Sequence, residues 1–179
     1  MRLHMTLRQF YDWQTLGGAK DVSRLVAALE EREISWCMIG GLAVNHWALE
    51  PMTTADVDIV VVSDQIESAT TALKDASFSV EHTQNVIHLK GDAKITIRIN
   101  TQEKYHDFPT RSVPASIHGI LMRVASLEDT ITSNIEAYAT AIEKPSHRQR
   151  RLLDISRLVE FHPELLAKRP SDIVAKLDP

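Results

Sequence analysis

The segment Asp56-Val57-Asp58-Ile59-Val60-Val61-Val62 constrains this chain more than any other. Acidic residues alternate with β-branched ones and then give way to an unbroken apolar run. Side chains repeat every two residues along a strand, so both carboxylates share one face, and the apolar end needs cover on both faces. The segment reads as a strand buried at one end. Upstream, residues 36–39 read as a short buried strand that stops at Gly40-Gly41, and residues 42–49 as a helix opening from those glycines. Pro51-Met52-Thr53-Thr54 breaks that helix before the acidic strand begins.

The rest of the chain builds around this unit. Val22, Leu25, Val26 and Leu29 fall at i, i+3, i+4 and i+7, one face of a helix. Residues 64–75 look helical, and 78–81, 86–90 and 95–100 look like strands, the last two joined at Gly91-Asp92. In the third of these Ile95, Ile97 and Ile99 point one way and Thr96, Arg98 and Asn100 the other. After Pro114 the pattern reads as helical. Ser126-x-x-Asp129 is a capping box opening a helix with Ile131, Ile135, Tyr138 and Ile142 on one stripe. Pro145 separates it from a second helix, entered by Ser146-x-x-Gln149 and carrying Leu152, Ile155 and Val159. The expected organisation is an N-terminal extension (1–19), an α/β core (20–112) and a C-terminal helical segment (113–179).

Composition narrows the classes. A length of 179 residues against about 150 per domain suggests one domain with a small appendage, and 44% apolar residues suffice for a core. With 20 Lys plus Arg against 24 Asp plus Glu, the net charge of −4 offers no global attraction to nucleic acid or anionic membrane. The stretch 144–169 is nonetheless locally basic, with seven Lys/Arg against three acids. The single Cys37 excludes an internal disulfide framework and a multi-cysteine zinc site. No apolar run approaches the roughly 18 residues that cross a bilayer, so a cytoplasmic protein is expected. The eight histidines show no metal-ligand spacing, and no serine sits in a Gly-x-Ser-x-Gly elbow. Cys37, His88, Trp13, Trp36 and Trp47 read as packing or surface residues.

The unit strand–Gly40-Gly41–helix–Asp56-x-Asp58 suits phosphoryl chemistry. Glycines ahead of a helix let backbone N–H groups and the helix dipole approach phosphates. Two carboxylates on one strand face can share divalent ions that clamp the attacking and leaving oxygens of an in-line displacement. Ile39-Gly40-Gly41-Leu42-Ala43-Val44 followed by Thr53-Thr54-Ala55-Asp56-Val57-Asp58-Ile59 resembles the opening motif of the minimal nucleotidyltransferases of the polymerase-β-like superfamily. Val124-Ala125-Ser126-Leu127-Glu128-Asp129 and His147-Arg148-Gln149-Arg150-Arg151-Leu152-Leu153-Asp154-Ile155 resemble the helical half of its toxin-like, AbiEii-type branch. The resemblance spans residues 20–165. It implies an α/β (α+β) fold, a mixed sheet flanked by helices and followed by a C-terminal helical segment. It further implies an NTP bound with Mg²⁺ or Mn²⁺, and transfer of a nucleoside monophosphate to a hydroxyl of a protein or RNA acceptor. Asp56 and Asp58 would be the catalytic metal ligands. Gly40, Gly41, Thr54, Arg98, Arg148 and Arg150 would meet the nucleotide, and a cognate antitoxin would be a partner.

The chain also departs from that pattern. A third carboxylate is expected on the strand face that carries Thr96, Arg98 and Asn100, none of them acidic. Arg98 there would neutralise Asp56 and Asp58 without metal, and Asp92 lies off that face. Met52 stands for an Arg, Asn134 for a Lys and Arg151 for an acid. These losses motivate an alternative, a catalytically degenerate nucleotidyltransferase fold serving as a nucleotide-binding or protein-interaction module. A third reading is an RNA-binding protein using the basic C-terminal helix. The plain readings are solvated acids at a strand start, a tight turn at the glycines, and solvated arginines with Arg150 and Asp154 paired at i, i+4.

Overall fold

Among the described residues, the acid-led strand lies in the middle of a seven-stranded mixed sheet. The computed structural model describes residues 12, 17–49, 52, 54, 56–117, 119–140 and 145–168. Its strands are β1 (Trp36–Ile39), β2 (Asp56–Val61), β3 (Ser79–His82), β4 (Val86–Lys90), β5 (Thr96–Asn100), β6 (Val113–Ile117) and β7 (Ile120–Val124). The helices are α1 (Ala19–Glu31), α2 (Gly40–Trp47), α3 (Ile66–Asp75), α4 (Leu127–Thr140) and α5 (Pro145–Phe161). The strands stand in the order β3-β4-β5-β2-β1-β7-β6. β2 runs antiparallel to β1 and parallel to β5.

Alternation along β2 divides its side chains between two layers. Val57, Ile59 and Val61 join Ile97 and Ile99 of β5 in one core cluster with the apolar face of α1. Val60 packs on the opposite face with Cys37, Ile39, Tyr105 and Phe108. A third cluster joins α2, α4 and α5 through Val44, Ile131, Tyr138, Ile155 and Leu158. Leu42 and Ala43 belong to the first cluster and Val44 to the third, so α2 is the hinge between sheet and helical layer. Each fully buried Leu or Ile contributes about 1.5–3 kcal/mol of burial, which is why these periodic positions decide the layers.

The helical reading after Pro114 is corrected by the structure. Val113–Ile117 and Ile120–Val124 pair antiparallel as β6 and β7, and the helices of this half start at Leu127. Inward Ala115, Ile117, Met122 and Val124 alternate with exposed Pro114, Ser116 and Leu121, a period of two rather than 3.6. Pro114 is tolerated because β6 is an edge strand, where a missing N–H leaves no ladder bond unmade. β7 then lies parallel to β1, with Met38 opposite Val124. Smaller differences follow. α2 opens on Gly40 itself, and Pro145 starts α5, a position that suits its fixed φ.

The Ser126 cap is present: Asp129 donates its backbone N–H to Ser126 Oγ at 3.1 Å. Asp92 is held by Arg24 at the β4–β5 turn, 3.1 Å from Nη1. Most of the N-terminal extension, Trp13 and Ile142 lie outside the described residues. Among the described residues no helix is long and apolar enough to cross a membrane.

Candidate functional site

The site forms where β1 ends against β2. Ile39 pairs with Asp58 across the ladder, so Gly40 follows directly beside that carboxylate. Gly40 has φ +67°, and a Cβ there would stand 3.0 Å from Asp58 Oδ2. Left-handed backbone and close approach together require glycine. A Cβ on Gly41 would meet Thr54 Oγ1 at 3.1 Å. Thr54 is buried, and its hydroxyl donates to the Asp56 carbonyl at 3.1 Å. It thereby shapes the turn into β2, while still lining the cleft.

Parallel pairing of β2 and β5 sets Arg98 opposite Asp58. Arg98 Nε donates to Asp58 Oδ1 at 2.6 Å and Nη2 to Asp58 Oδ2 at 3.1 Å. Nη2 also lies 3.1 Å from Asp56 Oδ2. The side chains of Arg98, Asp58 and Asp56 are 31%, 15% and 46% exposed, so the pair with Asp58 is the more sheltered. Burial works against the guanidinium charge, and the hydrogen bonds and charge of Asp58, then of Asp56, outweigh it and hold Arg98 above its ordinary pKa. The expected neutralisation of both acids by Arg98 is what the structure contains.

A divalent ion does not fit these residues. Mg²⁺ needs hard oxygen ligands in near-octahedral array, and the oxygens of Asp58 together with one of Asp56 face a guanidinium. The β5 face adds no acid. Among the described residues no group of three His, Cys, Asp or Glu side chains could hold a metal.

Two chambers flank the ion pair. One, about 310 Å³, is lined by Gly41, Thr54, Asp56, His147, Arg150 and Arg151. The other, about 220 Å³, is lined by Gly40, Arg98, Asn100, Tyr105, Ser133 and Asn134. Asp58, Ala137 and Arg151 line both. Arg151 Nη1 donates to Asn134 Oδ1 at 3.4 Å and lies 3.7 Å from Asp154 Oδ2. The expected nucleotide residues Gly40, Gly41, Thr54, Arg98 and Arg150 therefore converge with Asp56 and Asp58. Arg148 does not. Its guanidinium lies 4.6 Å over the Tyr138 ring, beside Pro145, Gln149 and Leu152. Helix geometry explains this, since 147, 150 and 151 share the face at i, i+3 and i+4, and 148 points away from it.

Several site residues carry little signal in the sequence. Asn45 clamps Met52 through Nδ2 to its carbonyl (2.7 Å) and Oδ1 from its N–H (3.0 Å). Arg157 Nη2 donates to the same Oδ1 at 3.0 Å and Nη1 to Asp154 Oδ1 at 3.4 Å. These hydrogen bonds tie α5 through Asn45 to Met52, four residues ahead of Asp56. Burial raises the Asp154 carboxyl pKa, with Arg151 and Arg157 pulling the other way. Tyr105 donates to Glu136 Oε2 at 2.7 Å on the rim of the smaller chamber. A polar residue inside an apolar helix stretch is the one sequence signal for Asn45. Cys37 and Trp36 are fully buried, as expected.

This fold matches solved nucleotidyltransferase structures. A crystal structure of ANT(2")-Ia in complex with adenylyl-2"-tobramycin aligns with TM-score 0.62 at 16% identity, covering 88% of this chain and 95% of that one. The lincosamide antibiotic adenylyltransferase LnuA, lincomycin-bound, aligns with TM-score 0.56 at 12% identity over 79% and 96%. An antigenic nucleotidyltransferase-like protein from Paracoccidioides brasiliensis gives 0.56 at 17% identity over 88% and 90%. The chain thus shares the fold of these nucleotidyltransferase structures, a mixed sheet flanked by helices with a C-terminal helical segment. That likeness is to the fold and not to the AbiEii-type branch in particular. No protein-family model matches the sequence, and no curated protein does.

Proposed function

We propose that the protein is a nucleotide-binding module built on the nucleotidyltransferase fold, its metal-dependent transfer chemistry lost. The observation that carries this reading is the Arg98 guanidinium bonded to both Asp56 and Asp58. In-line transfer on this fold needs those acids for metal, and here they serve a side chain. The phosphate-binding parts remain. Gly40-Gly41 open α2 beside the acids, and the free N–H groups of a helix start favour anions. Arg150 and Arg151 line the larger chamber with His147.

A purified sample incubated with labelled NTPs, Mg²⁺ or Mn²⁺ and cell extract should bind nucleotide and transfer no label. The double variant Arg150→Ala/Arg151→Ala should weaken that binding at least tenfold. Label appearing on a defined acceptor would overturn the loss of transfer, and nucleotide binding untouched by the double variant would overturn the placement.

A second reading is favoured by the exposure of Asp56, which leaves one acid within reach of an incoming ion. On it the protein transfers a nucleoside monophosphate to a protein or RNA hydroxyl, in the setting of a toxin–antitoxin pair. The same labelling experiment decides between the two.

A further inference from the structure

We infer that the cleft takes a polyphosphate ligand in its metal-free form, so that Mg²⁺ opposes binding instead of supporting it. The inference rests on nucleotide binding in the cleft and specifies the ionic form of the ligand. Three guanidiniums, Arg98, Arg150 and Arg151, line the two chambers with the carboxylates Asp56 and Asp58, and Arg151 also faces Asp154 at 3.7 Å, so the acids at the cleft are matched by cations of the chain itself. The chain supplies from its own side chains the positive charge that a divalent ion would otherwise bring.

Arg98 is tied down by geometry as well as charge. Its Nε and Nη2 make a two-pronged contact with Asp58, and Nη2 reaches Asp56 as well. Paired N–H···O bonds of this kind are the stronger class of charge-assisted hydrogen bond. An ion entering with the ligand would have to break them, and the displaced guanidinium would stay on β5, directly across the ladder from Asp58. Two cations would then share a space that holds two acids. Mg²⁺ on a triphosphate also cancels two of its negative charges and weakens its attraction to the arginines. Both effects have the same sign. With Arg98 between the acids, a bare polyphosphate can approach Asp56 and Asp58 without meeting their full charge.

Isothermal titration of ATP and of inorganic tripolyphosphate into the full chain tests this, first in EDTA and then in excess Mg²⁺ at matched ionic strength. Kd should rise at least fivefold on adding Mg²⁺ for both ligands. Equal or tighter binding in Mg²⁺ overturns the inference and leaves nucleotide binding standing. Binding in neither condition removes both. The Arg98→Asp variant places an acid opposite Asp58. It should bind Mn²⁺ alone, read by electron paramagnetic resonance without any nucleotide, and should reverse the sign of the Mg²⁺ effect. Mn²⁺ binding equally well to the unaltered protein overturns the inference. If Arg98→Asp fails to fold, Arg98→Gln serves instead: it should weaken metal-free binding and shrink the Mg²⁺ penalty to less than twofold. An unchanged penalty in that variant counts against the role of Arg98.

Discussion

Strands β2 and β5 present two faces made from the same ten or so residues, and the faces obey different rules. On one, Val57, Ile59, Ile97 and Ile99 are fully buried in a cluster with α1. On the other, Asp56, Asp58, Arg98 and Asn100 border the cleft. The apolar face tolerates any set of side chains with similar volume and pattern. The polar face depends on the identity of one residue, because Arg98 sets both the charge of the cleft and the partners of two acids. A strand pair can thus keep its fold through the first face while its chemistry is rewritten through the second.

The largest expected effect breaks the apolar face. Ile97→Ala should cost about 2–5 kcal/mol, read as a lowered urea midpoint, with the order of the cleft residues' effects on ligand binding unchanged in the folded fraction. Next is the seam between the faces. Gly40→Ala puts a Cβ 3.0 Å from Asp58 Oδ2 at a φ of +67°, and should cost about 1–3 kcal/mol. It should also disturb ligand binding, which Ile97→Ala should not do directly. On the polar face, Arg98→Ala leaves the largely buried Asp58 without its main partner, and the remaining exposure of the pair limits the loss to about 1–2 kcal/mol at neutral pH.

Alkaline titration separates the cleft rim from the rest. Burial, then the hydrogen bond to Glu136, pushes the Tyr105 phenol up from 10.0 to about 12. A raised folded pKa means the contribution is fully present below pH 10 and is lost as pH rises through about 12. Phenolate absorbance should therefore show a late-ionising tyrosine that disappears in Tyr105→Phe. A normal titration of all tyrosines would remove the assigned environment. The smallest effect is expected for Arg148→Ala, which loses an exposed cation–π contact of about half a kcal/mol. It should leave nucleotide affinity unchanged, and a tenfold loss would put Arg148 back in the cleft.

Part of the cleft is legible in the order of residues. The alternation in 56–62 and 95–100 puts Asp56 and Asp58 on one face and Arg98 on the matching face of another strand, and the parallel β2–β5 ladder joins them. Gly40-Gly41 marks the strand-to-helix turn. The hairpin β6–β7 is hidden because each strand is five residues long and interrupted by Pro114 or Arg123, too short for a period of two to stand out. Closeness in sequence groups Arg148 with Arg150, whereas residues two apart on a helix stand about 200° from each other.

Sequence alone determined what is periodic and local: the strands of the middle sheet, the face on which each acid stands, the glycine turn and the Ser126 cap. Tertiary structure decided partners. Arg98 could have met solvent, phosphate or a distant acid until β5 was laid beside β2 in a single register. Asn45 and Arg157 lie 112 residues apart and meet only when α5 packs on α2. Periodicity is written in neighbouring residues, while a hydrogen bond between remote ones depends on how whole elements settle against each other.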